Sequence, residues 1–176
     1  MWSEQLWQST KIVMHDLLQS KHKILFVCTG NICRSPSAEG VFRKMIEEHE
    51  SFDSSIYIDS CGTHSYHIGE SPDGRAQHAA ANRGIDISKQ KARQIEADDF
   101  DFFDYILVMD NFNLNVIHSM VDETDRSKIH LFLDYAELNE YKEVPDPYYG
   151  GERGFEIVLD LLEQASIGLI KHLQSN

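Results

Sequence analysis

The 176-residue sequence is short of positive charge and of long hydrophobic runs, and each shortage argues against a class of protein. Sixteen Lys and Arg against 29 Asp and Glu give a formal net charge of −13. Non-specific binding to nucleic acid or to an anionic membrane is disfavoured, because both need a basic field. The apolar runs are too short to cross a bilayer, and residues 1–23 do not have the pattern of an export signal. We therefore expect a cytoplasmic protein that binds neither nucleic acid nor membrane.

Cysteine is also scarce. The three cysteines Cys28, Cys33 and Cys61 are an odd number without the spacing of a disulfide framework, which fits reactive or buried thiols in a reducing compartment. Nine histidines are present, but none has the spacing of a metal site, since the closest pair, His64 and His67, has no third ligand nearby. We predict no metal and no cofactor.

Short apolar runs alternate with longer periodic segments along the chain, which predicts an α/β fold. The runs predict strands at residues 24–27, 56–58, 105–109 and 129–133. The periodic segments predict helices at residues 36–48, 73–83, 111–120 and 155–173. Strands separated by helices favour a parallel sheet covered on both faces, in three layers. The length suits one domain, placed at residues 23–176, with residues 1–22 as an N-terminal extension.

Three polar residues come at the ends of the first three predicted strands: Cys28, Ser60 and Asp110. In a parallel sheet these ends lie at one edge, where ligands bind in folds of this class. We therefore expect the three side chains to share one rim of the sheet.

Residues 28–35 read Cys-Thr-Gly-Asn-Ile-Cys-Arg-Ser between the first strand and the first helix. A tight turn into a helix directs backbone N–H groups toward one point and favours an anion there. Gly30 and Asn31 tolerate the positive φ that such a turn requires. The helix N-terminus and Arg34 favour the thiolate of Cys28, and the Arg34 guanidinium matches the oxygens of a phosphate. The loop predicts a nucleophile inside a phosphate cradle.

Two motifs together resemble the low-molecular-weight protein tyrosine phosphatases. They are Val-Cys-Thr-Gly-Asn-Ile-Cys-Arg-Ser-Pro at residues 27–36 and Asp-Pro-Tyr-Tyr-Gly-Gly at residues 146–151. The resemblance spans residues 23–176. It implies a flavodoxin-like fold with a four-stranded parallel sheet, hydrolysis of aryl phosphates through a cysteinyl-phosphate intermediate, and no metal.

The resemblance also implies a role for each matching residue. Cys28 is the expected nucleophile, Arg34 the phosphate clamp, and Asp146 the general acid and then base. Ser60 and Asp110 are expected to support the site. The residues expected to bind phosphate or hold the loop in shape are Thr29, Gly30, Asn31, Ile32, Cys33, Arg34 and Ser35.

Further expectations concern the pocket. Tyr66, Tyr148 and Tyr149 are expected to form walls around a phenyl ring. Cys33 is expected to protect an oxidised Cys28 through a reversible disulfide, as a second loop cysteine can in the family. Ile32 favours tyrosine as the substrate residue, because bacterial members that resemble arginine phosphatases carry Thr there.

One departure from the family concerns Arg83, at a position where animal members are expected to carry His. Its two neighbouring carboxylates are expected to be Glu39 and Asp59. Because Arg keeps a cation for both acids, we predict an ion cluster beneath the loop.

The implied partner is a phosphotyrosine-containing protein, with a bacterial tyrosine kinase or its targets as candidates, and the chain is expected to act as a monomer. Two alternatives remain. A thiol-dependent arsenate reductase shares the loop and sheet, although its cysteine relay has no counterpart after Cys61. A catalytically inactive phosphoprotein-binding adaptor would not need Cys28, Arg34 and Asp146 together.

Overall fold

The structure is a computed structural model that describes residues 20–49, 56–137 and 140–175, without the side chains of Tyr149 and Glu152. Its centre is a four-stranded sheet with all strands parallel, in the order β2-β1-β3-β4. The strands are β1 (His22–Cys28), β2 (Ile56–Gly62), β3 (Tyr105–Val108) and β4 (Ile129–Leu131). This confirms the predicted fold class.

Within the described residues, five α-helices cover the sheet: α1 (Arg34–Glu47), α2 (Gly74–Asn82), α3 (Ala97–Phe102), α4 (Asn111–His118) and α5 (Gly151–Gln174). Short 3₁₀ turns lie at Asp125–Lys128, Phe132–Tyr135 and Pro147–Tyr149. In the part of the chain that the structure describes, no helix is both long and apolar enough to cross a bilayer.

Strand β1 explains why the fold has three layers. Successive side chains of a strand point to opposite faces of the sheet, and those of β1 are buried on both. Ile24 and Phe26 belong to a core cluster that includes residues of α1, α2 and α5. Leu25 and Val27 belong to a second cluster on the opposite face, with residues of α3 and α4. The continuous apolar run is thus the mark of a central parallel strand.

Several element boundaries differ from the predictions. Ser60 lies inside β2 rather than at its end, because the strand pairs with β1 as far as Gly62 opposite Cys28. Strand β4 ends at Leu131, where the chain enters a 3₁₀ turn. Helix α3 was not predicted from the sequence, since its six residues are too few for a periodic signal.

The structure describes only the last residues of the predicted N-terminal extension. Strand β1 begins at His22, the last residue of the predicted extension. Residues 1–19 of that segment lie outside the described residues, so its assignment as an extension stays a prediction.

The packing of α5 against the turn after β4 predicts a destabilising substitution. A Cβ added at Gly168 would lie 1.7 Å from the carbonyl oxygen of Tyr135, a backbone atom that cannot move independently. Ala is favoured over Gly inside a helix by about 1 kcal/mol, but this clash outweighs that gain. We expect Gly168→Ala to lower the free energy of unfolding by about 1–3 kcal/mol, measured by urea denaturation.

Gly74→Ala is the matched control, since nothing lies within 4 Å of a Cβ added at this position in α2. We expect it to leave the stability unchanged or slightly raised. A Gly168→Ala protein as stable as the native one would contradict the close approach of α5.

Candidate active site

The buried thiol of Cys28 lies at the end of β1, where the loop to α1 begins. The backbone N–H of Asn31 donates a hydrogen bond to Cys28 Sγ at 3.2 Å. The hydroxyl oxygen of Ser35 lies 3.1 Å from the same sulfur and 3.1 Å from the carbonyl oxygen of Cys61. Donors placed around a sulfur in this way stabilise negative charge on it. The predicted nucleophile therefore has two hydrogen-bond donors within reach.

Asn31 fixes the shape of this loop. Its φ is 55°, in the left-handed region that Asn tolerates better than most residues. Its side-chain amide donates to the hydroxyl oxygens of Ser35 at 2.9 Å and Ser60 at 3.0 Å. Its side-chain oxygen accepts from the backbone N–H of Arg93 at 3.0 Å. One side chain thus joins the loop to α1, to β2 and to the segment before α3.

Ser60 connects this hydrogen-bond network to the buried carboxylate of Glu39. Its hydroxyl donates to Glu39 Oε2 at 2.8 Å, and Arg43 donates to Glu39 Oε1 at 3.0 Å. Burial raises the pKa of Glu39, and the hydrogen bonds from Ser60 and Arg43 oppose that rise. Ser60 is in contact with the loop, as its predicted supporting role requires, although it lies within β2.

The backbone amides of the loop form an anion-binding concavity. Within the described residues, the N–H groups of Gly30 and of residues 32–35 have no protein acceptor. Helix α1 starts at Arg34, and its N-cap residue Cys33 provides no side-chain cap. The first N–H groups of a helix have no intrahelical partner and carry its positive dipole end. These donors are therefore available to the oxygens of a bound phosphate.

Arg34 is buried at the edge of this concavity, with 4% of its side chain exposed. Its Nη1 forms an ion pair with Asp110 and donates to the carbonyl oxygen of Val144 at 3.1 Å. Its Nη2 lies 3.7 Å from Asp146 Oδ2. Burial opposes the charge, but Cys28 and Asp110 outweigh it and raise the pKa of the guanidinium. Arg34 therefore stays positively charged and lies between the loop and Asp146.

Asp146 lies just before the 3₁₀ turn Pro147–Tyr149, and its side chain is 54% exposed. Its Oδ1 accepts a hydrogen bond from the backbone N–H of Tyr148 at 3.0 Å. This turn geometry keeps the carboxyl group at the mouth of a cavity of about 340 Å³. The cavity is lined by Cys28, Thr29, Gly30, Ile32, Cys33, Arg34, Tyr66, His67, Asp146 and Tyr148.

Aromatic side chains form one side of the mouth. Tyr66 is 72% exposed and stacks on His64, with ring centroids 5.2 Å apart. His64 also stacks on Phe112 at 5.9 Å, so the three rings form one continuous surface. Phe112 was not predicted from the sequence, because nothing near it in the sequence links it to Tyr66. Tyr149, the third predicted wall residue, has a side chain outside the described part of the structure.

The two other cysteines, Cys33 and Cys61, have raised thiol pKa values. Burial and then the nearby Asp73 raise the pKa of Cys33 to about 12, so it remains a neutral thiol. Cys61 is fully buried in the core, and burial raises the pKa of its thiol as well. Cys61 is therefore a core residue, whereas the redox role of Cys33 stays a prediction.

The predicted cluster around Arg83 is wrong. Arg83 pairs with three acids spaced along one face of α5: Glu156 at 2.6 Å, Asp160 at 2.8 Å and Glu163 at 2.9 Å. It follows α2, which packs beside α5, and this position directs its side chain away from the loop. The two expected acids have other partners: Arg43 pairs with Glu39, and Arg93 pairs with Asp59 at 2.9 Å.

The hydrogen bonds of Asn31 predict that its loss weakens anion binding. Asn31→Ala removes three side-chain hydrogen bonds and places Ala at a φ of 55°. We expect the free energy of unfolding to fall by about 2–3 kcal/mol and the affinity for inorganic phosphate to fall about tenfold. Urea denaturation and calorimetric titration with phosphate measure the two effects. Asn115→Ala, at an exposed position of α4, is expected to change neither, and equal phosphate affinity in both variants would contradict the assigned role.

Known proteins share this architecture. The family model of low molecular weight phosphotyrosine protein phosphatases matches residues 23–176. A protein of that description from Schizosaccharomyces pombe is 46% identical over 136 residues, covering 76% of this chain and 85% of the relative. The low molecular weight protein-tyrosine-phosphatase YfkJ of Bacillus subtilis is 39% identical over 151 residues, covering 86% and 95%.

Solved structures agree with the sequence matches. A crystal structure of a protein tyrosine phosphatase from Entamoeba histolytica, with Hepes in its active site, superposes with a TM-score of 0.84. It is 42% identical and covers 88% of this chain and 98% of its own. This chain belongs to the low molecular weight phosphotyrosine protein phosphatase family.

Proposed function

We propose that the protein hydrolyses phosphotyrosine in other proteins through a cysteinyl-phosphate intermediate on Cys28. The observation that carries this proposal is one cavity that holds a hydrogen-bonded thiol, unpartnered loop amides, the buried Arg34 guanidinium and the Asp146 carboxyl group. Together these supply a nucleophile, an oxyanion cradle and a proton donor, which phosphate monoester hydrolysis requires.

In the first step the Cys28 thiolate attacks phosphorus in line with the leaving oxygen. The S–P bond forms as the P–O bond to the tyrosine ring breaks. The loop amides and Arg34 neutralise charge on the three equatorial oxygens, which is the main requirement of phosphoryl transfer. Asp146, in its protonated form, gives its proton to the leaving phenolate oxygen.

In the second step water attacks the cysteinyl phosphate. Asp146, now ionised, accepts the proton of the water as the O–P bond forms. The S–P bond breaks, and inorganic phosphate leaves with the thiolate regenerated. The Asn31 amide and the Ser35 hydroxyl stabilise the departing sulfur, since both lie within hydrogen-bond distance of it.

The rim of the cavity favours an aryl phosphate. Tyr66 and Tyr148 both line the mouth and are largely exposed. Aromatic walls favour a flat ring, while the phosphate reaches Cys28 and the loop amides below. Ile32 lines the same cavity and adds an apolar contact.

We also propose the cellular setting. The substrates are phosphotyrosine-containing proteins, with a bacterial tyrosine kinase or its targets as candidates, and the protein acts on them as a monomer in the cytoplasm. A reducing compartment keeps the nucleophile active, because a thiolate in this position is open to oxidation.

The nucleophile is tested directly by substitution. We expect native protein to hydrolyse phenyl phosphate in the presence of EDTA, and Cys28→Ser to lower kcat by more than about 10³-fold. Cys61→Ser, at a buried position outside the cavity, is the matched control for loss of a thiol and is expected to retain catalysis in its folded fraction. An active Cys28→Ser enzyme would overturn the mechanism.

Assays of arsenate reduction and of phosphopeptide binding, run beside the phenyl phosphate assay, separate the alternatives. Thiol-coupled reduction of arsenate by the native protein, with no phosphate released from phenyl phosphate, would support an arsenate reductase. Binding of phosphotyrosine peptides without turnover would support an adaptor.

The general acid predicts a dependence on the leaving group. A phenolate of high basicity needs protonation as it leaves, whereas nitrophenolate leaves readily without it. We therefore expect Asp146→Asn to lower kcat about 10²-fold or more for phenyl phosphate and far less for p-nitrophenyl phosphate. Asp122→Asn, an exposed acid outside the cavity, should leave both rates unchanged. Equal losses on the two substrates would show that Asp146 does not donate the proton.

A further inference from the structure

Two arginines flank the proposed general acid along the chain. Arg34 donates to the carbonyl oxygen of Val144, two residues before Asp146, at 3.1 Å. Arg75, in the first turn of α2, donates to the carbonyl oxygen of Tyr148, two residues after Asp146, at 3.4 Å. Arg34 belongs to the phosphate site, whereas Arg75 does not line the catalytic cavity and has no part in the mechanism proposed above. Its contact with the chain after Asp146 therefore needs another explanation.

Asp73 holds the Arg75 guanidinium in one orientation. Arg75 Nε donates to Asp73 Oδ1 at 3.0 Å and Arg75 Nη2 donates to Asp73 Oδ2 at 2.8 Å, so both carboxylate oxygens are engaged. A bidentate pair of this kind orients a planar guanidinium as well as pairing its charge. The hydrogen bonds from Arg75 lower the pKa of the Asp73 carboxyl, which is therefore ionised at neutral pH.

Two aromatic rings complete the surroundings of this guanidinium. It lies 5.1 Å from the ring centroid of Tyr148 and 5.0 Å from that of Phe155. Phe155 is buried in the core near the start of α5, whereas Tyr148 is largely exposed at the mouth of the catalytic cavity. Cation–π attraction draws both rings toward the same cation. Arg75 thus ties an exposed ring at the mouth of the cavity to a fixed residue of the core.

Arg75 also connects the acid to the loop that binds phosphate. The backbone N–H of Asp73 donates to the carbonyl oxygen of Ile32, in that loop, at 2.7 Å. Asp73 then holds Arg75, which contacts Tyr148. The backbone N–H of Tyr148 donates in turn to Asp146 Oδ1 at 3.0 Å. A series of hydrogen bonds therefore runs from the phosphate-binding loop to the general acid.

We propose that Arg75 is a positioning residue for the general acid: it holds the turn at residues 147–149 so that the Asp146 carboxyl group reaches the leaving oxygen of the bound ester. The proposal rests on the phosphatase function proposed above and deepens it. Proton transfer needs the two oxygens within about 3 Å, and a misplacement of about 1 Å costs much of the rate. The Asp146 side chain is 54% exposed, so packing alone does little to restrict it. Arg75 acts only through the chain that carries Asp146 and does not touch the phosphate.

The test compares kcat/KM for two esters that differ in their need for an acid. Phenyl phosphate has a basic leaving group that must be protonated, whereas p-nitrophenyl phosphate has one that leaves readily without a proton. Arg75→Met keeps an apolar stem against Phe155 and removes the charge and every donor. We expect it to lower kcat/KM about tenfold for phenyl phosphate and less than about twofold for p-nitrophenyl phosphate. A merely structural defect would lower both equally.

Two further variants show whether the effect runs through the acid. Asp73→Asn keeps a side-chain oxygen that can cap α2 but loses the ionic anchor of Arg75, and we expect a loss of about threefold, confined to phenyl phosphate. In the double variant of Arg75→Met with Asp146→Asn, the loss on phenyl phosphate should be no larger than in Asp146→Asn alone. Once the acidic proton is gone, nothing is gained by positioning the group that carried it.

Arg126→Met is the matched control. Arg126 is also exposed and also donates to a carbonyl oxygen at 3.4 Å, that of His118 in α4, but it does not line the cavity. We expect its substitution to leave kcat/KM unchanged for both esters.

Three results would overturn the positioning role: native rates for Arg75→Met on both esters, equal losses on the two esters, or losses that multiply in the double variant. In each case hydrolysis of both esters by the native protein shows that the phosphatase function itself stands. If the native protein hydrolyses neither ester, the proposed function fails instead.

Discussion

The left-handed turn at Asn31 is the constraint on which the active site depends. It lets the chain reverse direction between the end of the central strand and the first turn of α1, so that loop amides face Cys28. Its side chain then secures that turn through hydrogen bonds to Ser35, Ser60 and the backbone of Arg93. Unpaired amide donors aimed at one point form an anion site only while the backbone around them stays fixed. The hydrogen bonds of Asn31 provide that rigidity.

Buried charge is the second organising feature. Arg34 is almost fully buried, and it is tolerated there because Asp110, the Val144 carbonyl group and Asp146 surround its guanidinium. The same contacts place the loop that carries Asp146 above the loop that carries Cys28, although 118 positions separate the two residues. The Arg34 guanidinium thus helps to position the proposed proton donor, Asp146, near the proposed nucleophile, Cys28.

Much of the fold could be predicted because burial leaves a clear mark on the sequence. A fully buried parallel strand such as β1 reads as a continuous apolar run, and long amphipathic helices read as periodic ones. The anion-binding loop at residues 28–35 could be predicted equally well, because its glycine, asparagine and arginine lie close together in the sequence. Short elements have too few residues for a clear apolar run or helical period. For this reason α3 was not predicted and the end of β4 was placed too late.

Ion pairs between residues that are far apart in the sequence could not be predicted in the same way. Arg83, Arg43 and Arg93 are equivalent cations in the sequence, and only the packing of α2 against α5 directs Arg83 to the acids of α5. The stack of Tyr66, His64 and Phe112 likewise joins the segment after β2 to the start of α4.

By itself, the sequence determined the parallel α/β fold and the chemical identity of the loop, because both depend on local patterns of burial and turn geometry. Tertiary structure alone decided how charges pair and what surrounds the mouth of the cavity. Coulomb interactions act through space and carry no sequence period, so they become visible only when the helices and loops are in place.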